Sequence, residues 1–132
     1  MGAVSARSGA ASWRRSRGER GQVTAETAIV LPVLVGVAAL LTWLVGAGIA
    51  QVRCVDAARD AARALARDEP PGAVVAAARD VAPEGAVIEV TEGAGRVQVR
   101  VRFTATPPGD WLDGALALPL GSTATLPVEV AP

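Results

Sequence analysis

The chain has 132 residues, enough for one domain, and is 51% hydrophobic but only 3% aromatic. It has no His and a single Cys, which excludes a Cys/His zinc site and the Ser-His-Asp and Cys-His catalytic pairs. The formal net charge of zero hides a split: residues 1–21 carry five Arg and one Glu, net +4, while residues 22–132 carry eight Arg and twelve acids, net −4.

A basic arm ahead of an acidic body points to membrane orientation rather than nucleic-acid binding. The arm has no aromatic beyond Trp13 and no fold that would present it to a groove. No nucleic acid, cofactor, metal or small-molecule substrate is expected.

Thr27 to Val52 is a run of 26 residues without a charge, bracketed by Glu26 and Arg53. As a helix it would be about 39 Å long at about 1.5 Å per residue, more than the roughly 20 residues a bilayer core requires. A buried core helix is the competing reading. It fails on supply, because the remaining residues could not cover a helix that is apolar all round. Five Arg precede the span, and Arg53, Arg59, Arg63 and Arg67 follow it. With interleaved acids counting for little, the bare count narrowly favours a cytoplasmic N-terminus. Pro32 frees the carbonyl of Ala28, and a hinge and a harmless membrane proline are both compatible with it.

Just before the span stands Gly21-Gln22-Val23-Thr24-Ala25-Glu26, a basic leader ending in Gly and a lone carboxylate five residues later. Glu26 has a plain alternative as a first-turn acid near Thr24 as N-cap, where the helix dipole favours an anion. The run GQVTAETAIVLPVL, followed by Cys54-Val55-Asp56-Ala57-Ala58-Arg59-Asp60-Ala61-Ala62-Arg63, resembles the TadE-like minor pilins (pseudopilins) of tight-adherence, or Flp, pilus systems. The resemblance covers about residues 18–67. It implies cutting between Gly21 and Gln22 by a prepilin peptidase. It also implies that Glu26, then the fifth residue, neutralises the terminal amine of a neighbouring subunit. Its implied partners are the membrane, the prepilin peptidase, the major pilin, other minor pilins and the inner-membrane pilus platform. Gln22 departs from the Phe or Met common at the first mature position. A second cut is also readable in the chain, where Gly48-Ile49-Ala50 before Gln51 places small residues as signal peptidase requires. The apolar run is longer than a secretory h-region of roughly 7–15 residues.

The helical pattern continues to about Arg67. Ala38, Thr42, Gly46, Ala50, Cys54, Ala58, Ala62 and Ala66 recur every fourth residue and are all small, the composition of closely packed membrane helices. An Ala-rich chain also produces such rows without a packing role. Cys54, as the only cysteine, can cross-link two subunits, stay a free thiol, or be one more small residue in the row. Asp56 and Asp60 stand three residues before Arg59 and Arg63, a spacing for ion pairs on an exposed helix. Asp68-Glu69-Pro70-Pro71-Gly72 ends the helix.

Beyond it, Ala73–Val81 reads as a short helix with Val74, Ala77, Ala78 and Val81 on one face. Pro83-Glu84-Gly85 ends it, and Ala86–Glu92 reads as a strand. Gly93-Ala94-Gly95 reads as a turn. In Arg96–Thr106, Val97, Val99, Val101 and Phe103 alternate with polar residues, the clearest strand of the chain. Pro107-Pro108-Gly109 breaks it. Trp111–Leu118 reads as a loop or helical turn, with Trp111 as an apolar anchor. Leu120 to Val130 reads as a third strand, its Pro127 arguing for an edge. Asp110, Asp113 and the other carboxylates lack catalytic partners.

The expected fold is α+β: a long N-terminal transmembrane helix continuing into a stalk, then a small antiparallel domain of about three strands with one short helix. The expected divisions are a basic cytoplasmic leader (1–21), a transmembrane and stalk helix (22–67) and an extracytoplasmic α+β domain (68–132). The expected role is a non-catalytic, single-pass subunit in assembly of a Flp/tight-adherence pilus or a related secretion pseudopilus. The alternative is a membrane-tethered or secreted binding module unrelated to pili.

Overall fold

The computed structural model describes residues 9–109, 112 and 114–128, with side chains from residue 18. Two helices precede a three-stranded antiparallel sheet: α1 (Gly9–Ala66), α2 (Pro71–Val81), β1 (Val87–Gly93), β2 (Arg96–Ala105) and β3 (Leu118–Pro127). This is the expected α+β fold. Trp111, Asp110, Asp113 and the end of the expected third strand lie outside the described residues.

The chain divides into two compact units, Met1–Leu40 and Leu41–Pro132, and α1 contributes to both. In the first unit every described side chain from Gly18 to Leu40 is exposed. The helix is long and apolar enough to cross a membrane once. A helix with Ile29 69% exposed and Val35 64% exposed is unfavourable in water and stable in hydrocarbon, where its backbone bonds are satisfied internally.

In the second unit α1 packs on the sheet. Two ridges of α1, Cys54/Ala58/Ala62 and Ala57/Ala61/Leu65, are buried against Val97, Val99 and Val101 of β2. Each ridge repeats every four residues, the row that presents one inclined face of a helix. Five of the six side chains are Ala or Cys, so the helix backbone approaches the sheet closely. Burying each β2 valine contributes about 1.5–3 kcal/mol. Val74 and Ala78 of α2 complete the core, while Ala77 and Val81, expected on the same face, are exposed.

The helix ends differ in detail from expectation. α1 stops at Ala66 with Asp68 at φ +60. The Asp68 amide donates to Leu65 O at 3.0 Å and the Glu69 amide to Ala64 O at 3.2 Å, a Schellman termination with Asp where Gly is usual. Pro71 does not merely end a helix. It opens α2 as its first residue, where a missing N–H costs nothing.

The sheet order is β1-β2-β3. β1 and β2 are joined by the two-residue turn Ala94-Gly95, with φ of +51 and +71. Two consecutive positive φ values define the type I′ hairpin that matches strand twist. β3 pairs along the whole of β2, from Arg96↔Pro127 to Ala105↔Leu118. It begins two residues earlier than expected and accommodates Pro119 and Pro127 because it is an edge strand.

Candidate assembly site on the long helix

Gly21, Gln22 and Glu26 all lie within α1 and are exposed. The first-turn explanation of Glu26 fails. The helix begins by Gly9 with no acid in its first turn. Thr24 is no N-cap either, since its hydroxyl donates to Arg20 O one turn back at 2.8 Å. Thr27 does the same to Val23 O at 2.9 Å. These back-bonds satisfy both hydroxyls inside the helix, a common means of carrying Thr at an apolar boundary. The Glu26 carboxylate therefore stands in mid-helix with no ion pair or side-chain hydrogen bond among the described residues.

A Cβ added at Gly21 or Gly46 would meet nothing within 4 Å, so neither glycine is required by packing within the chain. The small-residue row divides along its length. Ala38, Thr42 and Gly46 are exposed, Ala50 is half-buried, and Cys54, Ala58 and Ala62 are buried under the sheet. Cys54 is fully covered. Its thiol is thus an element of this chain's own core, and cross-linking between folded subunits is excluded.

The expected helix pairs Asp56–Arg59 and Asp60–Arg63 do not form. The ion pairs among the described residues are Arg67–Glu69 at 2.7 Å and Arg102–Glu89. Among the described residues no group of three or more His, Cys, Asp or Glu is placed so that it could hold a metal ion.

One contact has no counterpart in the sequence pattern. The Gln51 amide spans the edge of β3: its Nε2 donates to Gly121 O at 2.9 Å, and Gly121 N–H donates to Gln51 Oε1 at 3.0 Å. The side chain thus imitates a strand residue and seals the centre of that edge. Gly121 is needed for close approach, because an added Cβ would stand 2.6 Å from Val101 O. The signal for this pair was faint: one uncharged polar residue ending an apolar run, and one Gly inside a strand pattern.

Comparison with characterised proteins and with solved structures gives no match. Residues 21–63, the segment that opens on Gly21 and carries Glu26 and most of the small-residue row and alanine ridges, match the family model described as TadE-like protein, so this part of the long helix is similar to that family.

Proposed function

We propose that this chain is a minor-pilin-like subunit of a tight-adherence pilus or related pseudopilus, and that it acts by helix packing rather than catalysis. Its leader, residues 1–21, is cytoplasmic and is removed between Gly21 and Gln22 by a prepilin peptidase. Residues 22–67 are the membrane and stalk helix, and residues 68–132 form an extracytoplasmic domain. Partners are the major pilin, other minor pilins and the inner-membrane platform.

The observation that carries this reading is Glu26, a carboxylate standing unpaired in an exposed helix, in a TadE-like segment that begins at Gly21. An unpaired carboxylate costs on the order of 3 kcal/mol at the bilayer centre and less toward the interface. The ammonium of a Gln22 terminus on a neighbouring subunit offsets that cost, which would couple membrane solubility to assembly. Ala38, Thr42 and Gly46 then form the surface on which neighbouring helices pack, with half-buried Ala50 at its end, whereas Cys54 is covered by this chain's own sheet and takes no part in it.

The test is the N-terminal sequence and intact mass of the protein extracted from its native membrane. A start at Gln22 is expected. A start at Met1, Gly2 or Gln51 refutes the proposal. In a processed protein, Glu26→Gln should leave the cut unchanged and reduce incorporation into the assembly.

A further inference from the structure

Within the second unit the outward face of α1 changes character. At about 100° per residue, Trp43, Ala47, Ala50 and Cys54 share the side of the helix that the sheet covers in part or fully. Val45, Ile49 and Val52 lie about half a turn away and are 65%, 56% and 59% exposed. The same outward face then carries Asp56, Arg59 and Arg63, also exposed. Hydrocarbon suits the three apolar residues and water the three charges, so on this face the polar boundary falls between Val52 and Asp56. On the other side of α1 the sheet begins well before that boundary. Its rim is the end of β2, Phe103–Ala105 with Thr106, and the start of β3, where Leu118 pairs with Ala105. A cleft of about 390 Å³ lies between this rim and Trp43, Ala47 and Ala50. Val52 is nine residues past Trp43, about 14 Å along the helix at about 1.5 Å each. The rim therefore stands level with the apolar part of the outward face.

The composition of the rim fits that level. From Phe103 to Val128 the chain has no base, and its two acids, Asp110 and Asp113, lie outside the described residues. Leu116 and Leu118 are 41% and 40% exposed. Pro107, Pro108 and Pro119 carry no N–H to leave unpaired. Trp43 is the residue type that gathers at membrane interfaces. We propose that this rim is a lipid-contacting surface, seated in the interface of the bilayer that α1 crosses, with Leu116 and Leu118 against the acyl chains. Continuity with the span selects the occupant. The face from Val45 to Val52 requires an apolar medium at the height of the rim, and a bilayer surrounds the helix on every side at that height. An exposed apolar patch continuous with a span is thereby matched by lipid. With no base at the rim, the contact is apolar and needs no anionic headgroup. The inference rests on α1 as a membrane span, and not on the cut at Gly21 or on pilus assembly.

The test is depth-resolved fluorescence quenching of the full chain in neutral phosphatidylcholine vesicles at a high lipid-to-protein ratio. Leu116→Cys carries the fluorophore on the rim, and Thr106→Cys, also exposed, is the second rim position should the first not fold. Cys54 is fully covered, and the parent chain supplies the labelling blank. Val35→Cys reports insertion of the span. Ala94→Cys, in the hairpin turn at the opposite end of β2 from Ala105, reports the far end of the sheet. A spin-labelled acyl chain should quench the fluorophore at Val35→Cys and at the rim but not at Ala94→Cys. Aqueous iodide should quench at Ala94→Cys several-fold more strongly than at the rim. Rim positions as open to iodide as Ala94→Cys overturn the proposal, because the rim would then stand in water. So does a rim shielded from iodide yet untouched by the acyl spin label, because protein rather than lipid would then cover it. Iodide access at Val35→Cys removes the span and the inference with it. None of these results bears on the cut at Gly21.

Discussion

Replacing Gln51 by Ala tests whether a single amide holds α1 to the edge of β3. The substitution removes two hydrogen bonds, 2.9 and 3.0 Å long, from a part-buried site. At about 0.5–1.5 kcal/mol each, the loss is about 1–3 kcal/mol. Solvent has access to the Gly121 groups once the side chain is gone, so the larger penalty of a buried orphan does not apply. Cys54, one helical turn away and fully covered, reports the opening directly, because a thiol reagent reaches it only when helix and sheet separate. When reclosing outpaces labelling, the rate follows the open population. The variant should then label roughly 5- to 150-fold faster than the parent. A change under about twofold would refute the reasoning, since the pair would then be a contact without energetic weight. Gln51→Glu refines the test. A carboxylate accepts from Gly121 N–H but repels Gly121 O, whereas the protonated acid restores both bonds. Folding therefore raises the pKa of the introduced group. The recovered stability is present at low pH and is lost as pH rises through the folded value.

Further outcomes follow from the backbone and the core. Gly121→Ala forces a Cβ to 2.6 Å from the Val101 carbonyl and should cost about 1–3 kcal/mol, measured by the same labelling. Asp68→Gly relieves a positive φ at the end of α1 and should stabilise by about 1 kcal/mol. Ala94→Asn does the same at the hairpin turn and should gain about 0.5–1 kcal/mol, read as a higher Tm. Ala58→Leu overfills a fully buried position and should destabilise by about 1–3 kcal/mol, whereas Gly46→Leu, with open space around it, should leave Cys54 protection unchanged.

What could be read from the sequence divides along physical lines. The alternation Val97-Val99-Val101-Phe103 and the charge-free run Thr27–Val52 are local periodicities, and both appear as β2 and as the apolar stretch of α1. The helical extension back to Gly9 was not readable, because an Arg-, Gly- and Ser-rich leader carries no period. In the sequence Pro71 reads as a stop because Pro cannot continue a helix, yet that constraint equally suits the first position of the next one. Ala94 in a left-handed conformation is a cost imposed by strand twist, invisible in a residue type that avoids it. Glu26 was visible as a lone carboxylate, but excluding its capping role required seeing Thr24 bonded backward to Arg20. The Gln51–Gly121 pair joins residues 70 apart and leaves no local trace.

The row of small residues has two physical causes, and the structure separates them. From Cys54 to Ala62 the row lies under β2, where any larger side chain would lift the helix off Val99 and Val101. Those residues are explained by the chain's own fold, whatever the chain assembles with. Above Ala50 no such explanation exists: Ala38, Thr42 and Gly46 are exposed on a helix apolar enough for a membrane. In hydrocarbon, helices gain nothing from burying leucine and associate through close backbone contact at small residues. The part of the row that awaits an intermolecular reason is therefore the part that stands in the span. In the proposed assembly a neighbouring subunit is expected to make its closest helix contact between Ala38 and Ala50, because the buried alanines beyond that point are not available to it.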